Sequence, residues 1–151
     1  MRLEIFTDGA CSGNPGPAGI GVVIKQGGAV IKEISRSIGD ATNNIAEYAA
    51  LICALQEALI LKADDVLIKT DSELMYKQVM GAYAVKHANI KPLFEQVKHL
   101  STGFKQFRLE HVFREGNKEA DKLSRQSLKK AGQGGRPFAA GSGEESPSSK
   151  G

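Results

Sequence analysis

The chain reads as a mixed α/β domain: a three-stranded antiparallel meander, then βαβ crossovers that add parallel strands, with helices packed on the sheet. Three observations carry this. Three apolar runs lie close together near the N-terminus, "LEIF" (3–6), "GIGVVI" (19–24) and "VIKEISRSI" (30–38). The periodicity then switches, and from Asn44 to Lys62 the residues Tyr48, Ile52, Leu55 and Leu59 recur at helical spacing. After that, short β-type runs alternate with helical ones, which is the pattern of crossover connections.

The elements follow in order. "KQGGAV" between the second and third runs is a Gly-Gly hairpin signal. The third run alternates in part, with Val30, Lys32, Ile34 and Arg36 interleaved with Ile31, Glu33 and Ser35, so one face is expected to be half exposed. "TNN" (42–44) supplies cap residues for the long helix. "VLIKT" (66–70) is a short strand, and "SELMYKQV" (72–79) opens a helix capped by Ser72 or Asp71. A further helix runs from about Pro92 to Leu100, carrying Leu93 and Val97. "FRLEHVF" (107–113) is the last strand and "NKEADKLSRQSLKK" (117–130) the last helix. Residues 1–130 are thus expected to form one domain. Residues 131–151, rich in Gly, Ser and Pro with one aromatic, lack the apolar surface to order themselves and read as a disordered tail.

Bulk properties narrow the function classes. The 151 residues are 41% hydrophobic and 25% charged, which suits one domain with one core. No apolar run approaches the roughly 20 residues of a membrane span, and no signal-peptide pattern opens the chain. Cys11 and Cys53 have no metal-ligand spacing and read as free thiols, so a cytoplasmic location is expected. The net charge of +3 falls within residues 1–130, because Arg136 and Lys150 offset Glu144 and Glu145 in the tail. That excess is compatible with a nucleic-acid partner and too small to argue for one.

Four acids fall at the ends of elements: Asp8 after the first run, Glu47 in the first turn of the long helix, Asp71 after "VLIKT", and Asp121 in the first half of the last helix. If the first and fourth strands are parallel neighbours, Asp8 and Asp71 share the carboxyl edge where open α/β sheets bind ligands. Converging carboxylates repel unless a cation joins them, and hard oxygen donors suit Mg²⁺ or Mn²⁺. Each acid also has a purely structural reading. Glu47 stands three residues after Asn44 at capping-box spacing, Asp71 is a good N-cap, Asp121 can pair with Arg125, and Asp8-Gly9 can be turn chemistry. Spacing alone does not choose between these.

The motifs themselves resemble a known family. "TDGACSGNPGPAGIGVV", "TNNIAEYAAL", "KTDSELMYKQV" and "VFREGNKEADKLS" are similar, in order, to the four motifs of type 1 ribonuclease H. The resemblance covers residues 1–130. It implies a mixed five-stranded sheet with flanking helices. It also implies hydrolysis of the RNA strand of RNA–DNA hybrids, leaving 5′-phosphate and 3′-hydroxyl ends. Two Mg²⁺ ions, replaceable by Mn²⁺, would be held by Asp8, Glu47, Asp71 and Asp121, with Asp8 bridging. Gly9, Cys11, Asn14, Thr42, Asn43 and Asn44 would contact the hybrid, Thr42 at a DNA phosphate. Gly9, Gly13 and Gly16 would let the RNA strand approach the backbone.

Two departures stand out. "MGAYAVKHANIKPLFEQV" (80–97) is short and lacks the Trp-containing basic insertion of many members, although Lys86, His87, Lys91 and Lys98 offer some charge. This short form resembles archaeal and some bacterial members, and weaker substrate binding or compensation elsewhere is expected. The loop before the last helix has no His; His111 lies in the preceding strand, and Arg114 is the nearest cation. Arg114 is expected to attract the scissile phosphate there. The alternatives are an integrase or reverse-transcriptase domain of the same fold, or a module that binds hybrids without cutting. A monomer is expected, with no obligate protein partner.

Overall fold

The computed structural model describes residues 1–129; the segment 131–151 read as a disordered tail lies outside the described residues. The elements are β1 (Arg2–Cys11), β2 (Gly16–Gln26), β3 (Ala29–Ala41), α1 (Asn43–Ile60), β4 (Asp65–Thr70), α2 (Glu73–Val79), α3 (Lys91–Ser101), β5 (Gln106–His111) and α4 (Lys118–Leu128). A 3₁₀ turn at Arg114–Asn117 leads into α4. The order matches the sequence expectation, and each of the first three strands runs longer than its apolar run.

One sheet carries the strands in the order β3-β2-β1-β4-β5. β1, β2 and β3 pair antiparallel, whereas β4 is parallel to both β1 and β5. Strand alternation divides the side chains between two faces. On one face Leu3, Ile5, Ile20, Val22, Ile24, Val66 and Ile68 join α1 and α3 in the main core. Helix α1 buries Tyr48, Ile52 and Leu55 as its periodicity predicts, and its alanines let it sit enclosed between sheet and α3. Within this layer the Tyr48 hydroxyl donates to Gln78 Oε1 at 2.9 Å, tying α1 to α2. On the other face α4 lies across β1, β2 and β3.

The half-exposed face expected for β3 is confirmed in part. Val30 and Ile31 are both exposed, because the β2–β3 hairpin projects beyond the core; only Ile34, Ile38 and Ala41 are buried. Among the described residues no helix is long and apolar enough to cross a membrane. Cys11 and Cys53 are free thiols.

Candidate active site

Register places the first two acids side by side. The last β1–β4 pair is Thr7 with Thr70, so the next residues are Asp8, still on β1, and Asp71, just past the end of β4. Asp8 does not end β1, as the sequence suggested. β1 runs on to Cys11 against β2, and Asp8 sits opposite Gly21, buried at 4% exposure. The turn reading of Asp8-Gly9 is thereby set aside.

Glu47 arrives from the other face of the sheet. α1 begins at Asn43 with Thr42 as N-cap, whose Oγ1 accepts from Ile45 N at 3.2 Å. Glu47 is therefore past the first turn and makes no capping box. Its Oε1 instead accepts from Gly9 N at 3.0 Å. This needs a glycine, since a Cβ on Gly9 would lie 2.5 Å from Glu47 N. Gly9 is thus required by the close passage of α1 of the same chain. Gly13 adopts φ +95, and a Cβ on Gly16 would overlap Ser12 O, so both also answer to loop geometry. Ser72 rather than Asp71 caps α2, accepting from Met75 N at 3.2 Å.

Asp8, Glu47 and Asp71 each bring a carboxylate oxygen within 4.8 Å of the others. Asp71 Oδ2 is buried with no hydrogen-bond partner. Burial, and then the charges of Asp71 and Asp121, push Asp8 up to about 7, even though Ser124 donates to it. Burial and the neighbouring Asp8 and Asp71 likewise raise Glu47 well above its ordinary value. Three crowded oxygen donors and an orphaned buried carboxylate oxygen fit a hard divalent cation. Asp121 lines the same cleft outside this triad, with Oδ1 3.0 Å from Arg125 Nε, the i,i+4 pairing its spacing allowed.

The cleft of about 780 Å³ is lined by Gly9, Cys11, Asn14, Thr42, Asn43 and Asn44 as well as the acids other than Asp71. Its first wall is stitched together: Asn14 Oδ1 accepts from Asn43 N at 3.0 Å, and Cys11 Sγ lies 3.1 Å from Asn43 Oδ1. Asn44 Oδ1 is buried without a partner. Arg114 also lines the cleft, exposed to solvent, and its charge eases the ionisation of Glu47. His111 ends β5, packed against Tyr76 and Phe113 at ring-centroid distances of 6.0 and 5.9 Å, a structural setting. Sequence reading missed two buried groups. Asn117 Nδ2 donates to Thr7 O at 2.9 Å and so pins the Arg114 turn beside Asp8. Ser124 contacts Asp8 itself. Neither Asn117 nor Ser124 has a distinctive spacing, although both lie inside the fourth motif.

A mixed sheet in this order, with acids gathered at the carboxyl ends of its parallel strands, defines a ribonuclease H-like α/β domain. The family model described as reverse transcriptase-like matches residues 6–127. Ribonuclease HI of Halobacterium salinarum is 40% identical over 128 residues, covering 84% of this chain and 64% of that protein. Ribonuclease H of Anaplasma marginale is 35% identical over 138 residues, covering 82% of this chain and 88% of that one. The crystal structure of LC11-RNase H1 in complex with an RNA/DNA hybrid matches with TM-score 0.80 at 40% identity, over 85% of this chain and 98% of that one. The chain belongs to the ribonuclease H family. It spans less than two thirds of the Halobacterium protein's length.

Proposed function

We propose that this chain cuts the RNA strand of RNA–DNA hybrids by metal-dependent hydrolysis, leaving 5′-phosphate and 3′-hydroxyl ends. The observation that carries this is the Asp8–Glu47–Asp71 cluster with its unpartnered Asp71 oxygen, set in an open cleft. The family resemblance and a relative solved with an RNA/DNA hybrid support the choice of substrate.

Asp8, Glu47 and Asp71 would hold Mg²⁺, with Asp121 reaching the cluster by exchanging Arg125 for the cation. When bound, paired Mg²⁺ ions supply an activated water and charge for the departing 3′ oxygen. The chain itself does the positioning. Gly9 N–H fixes the Glu47 carboxylate, and the pairing of β1 with β4 fixes Asp8 beside Asp71. Arg114 draws the scissile phosphate toward the acids and cannot shuttle a proton at neutral pH. Asn43 and Asn44 present amides able both to donate to and to accept from a 2′-hydroxyl, which distinguishes RNA from DNA. Gly9 and Cys11 offer backbone groups beside them, Asn14 braces Asn43, and Thr42 faces a DNA phosphate. The unit works as a monomer in the cytoplasm.

The deciding experiment uses an end-labelled RNA–DNA hybrid beside duplex RNA and duplex DNA, with Mg²⁺, Mn²⁺ or EDTA. Cutting of the hybrid's RNA alone, and only with metal, is the expected result. Binding of the hybrid without cutting would make the chain a recognition module.

A further inference from the structure

Ser124 on α4 is fully buried and donates its hydroxyl to Asp8 Oδ2 at 2.5 Å. Ser124 Oγ also lies 2.9 Å from the carbonyl oxygen of Asp121. A serine hydroxyl has one proton, so it serves one of these acceptors at a time. A charged carboxylate is the stronger acceptor of the two. The hydroxyl therefore joins the strand that carries Asp8 to the helix that carries Asp121.

Two glycines of β2 make the contact possible. Gly21 pairs with Asp8 in register, and a Cβ there would lie 2.6 Å from Ser124 N. A Cβ on Gly19 would lie 2.9 Å from Ser127 Cβ. The backbone of α4 consequently rests directly on β2, and Ser35 Oγ clamps it by donating to Leu123 O at 2.7 Å. From that depth a side chain as short as serine reaches the β1 carboxylate.

We propose that Ser124 is a positioning residue for Asp8. Its hydroxyl turns Oδ2 toward α4 and commits the carboxylate to one rotamer, before any cation arrives. Held in that rotamer, the carboxylate would meet a divalent cation without reorienting, with the Ser124 hydroxyl kept as its outer partner. This deepens the metal-dependent reading above and rests on it.

The test is Ser124→Ala, which removes one oxygen and keeps a strong helix former. Mn²⁺ alone is titrated into metal-free wild type and variant, with free Mn²⁺ read by electron paramagnetic resonance. The variant should bind about 10-fold more weakly, in line with outer-shell partners of metal ligands. On the hybrid, its kcat at subsaturating Mn²⁺ should fall by a similar factor and recover at saturation, with KM for the hybrid unchanged. Equal Mn²⁺ affinity, or an effect confined to the hybrid's KM, overturns the proposal, as does a wild type that binds no Mn²⁺. A wild type that binds Mn²⁺ and cuts nothing would remove the nuclease reading while the affinity ratio still decides Ser124.

Discussion

Gly9 N–H and Glu47 Oε1 meet at 3.0 Å across the edge of the sheet, joining two motifs 38 residues apart. The bond exists because α1 passes so close to β1 that no side chain fits at residue 9. Gly9→Ala should therefore cost roughly 1–3 kcal/mol, the usual range for forced overpacking, and displace Glu47. Urea unfolding and hybrid cleavage should both register the change. An alanine variant of wild-type stability would mean that the helix moves away freely.

Asp71→Asn should abolish cutting while leaving the fold intact. In the metal-free protein it also removes one charge from a crowded triad. Its melting temperature without metal should equal or exceed that of wild type, and its gain on adding Mg²⁺ should be smaller. Calorimetry with and without EDTA measures both.

The metal-free protein should lose stability as pH rises from about 5 to 7. Asp8 titrates near 7 in the fold, against 3.8 as its ordinary value. Between those values the folded chain holds a proton that the unfolded chain has released, so raising the pH favours unfolding. Glu47 is raised too and acts in the same direction. The wild type should lose roughly 2 kcal/mol more than Asp8→Asn across this window, roughly 5–8 °C in melting temperature. Saturating Mg²⁺ at pH 8 should erase the difference by binding the ionised form.

Arg114→Ala should lower kcat on the hybrid by about 10- to 100-fold, since Arg114 lines the cleft that holds Asp8, Glu47 and Asp121. A wild-type turnover rate would remove it from the mechanism. Loss confined to KM would make it a binding group alone.

Asn117→Ala should destabilise the fold by about 1–3 kcal/mol, because a buried amide that holds Thr7 O is lost and the carbonyl is stranded. The turn carrying Arg114 should loosen with it. Chemical denaturation and faster proteolysis near residue 114 would report this.

The order of elements was legible in the chain because it rests on local patterns: short apolar runs, a partial period of two in "VIKEISRSI", and a period near 3.6 from Tyr48 to Leu59. The four motifs were legible by resemblance, and so was the idea that their acids converge. The ends of the strands were not. β1 continues past Asp8 because β2 pairs with it as far as Cys11 and Ala18, a fact about a neighbour. The capping reading of Glu47 failed for the same kind of reason. Asn44 and Glu47 have the spacing of a cap, but Thr42 begins the helix and the carboxylate finds Gly9 instead. Gly19 and Gly21 carried no distinct signal in one dimension, and Gly9 was read as turn chemistry or as room for RNA; in three dimensions all three are places where α1 and α4 touch the sheet.

Residue types and their spacing supplied the candidate carboxylates, and the resemblance of the four motifs implied the chemistry, since short-range patterns are written locally. Folding alone set which oxygens share a pocket and that a serine from α4 reaches Asp8. Those facts depend on strand register and on how closely helices settle, and both follow from packing between residues far apart in the chain.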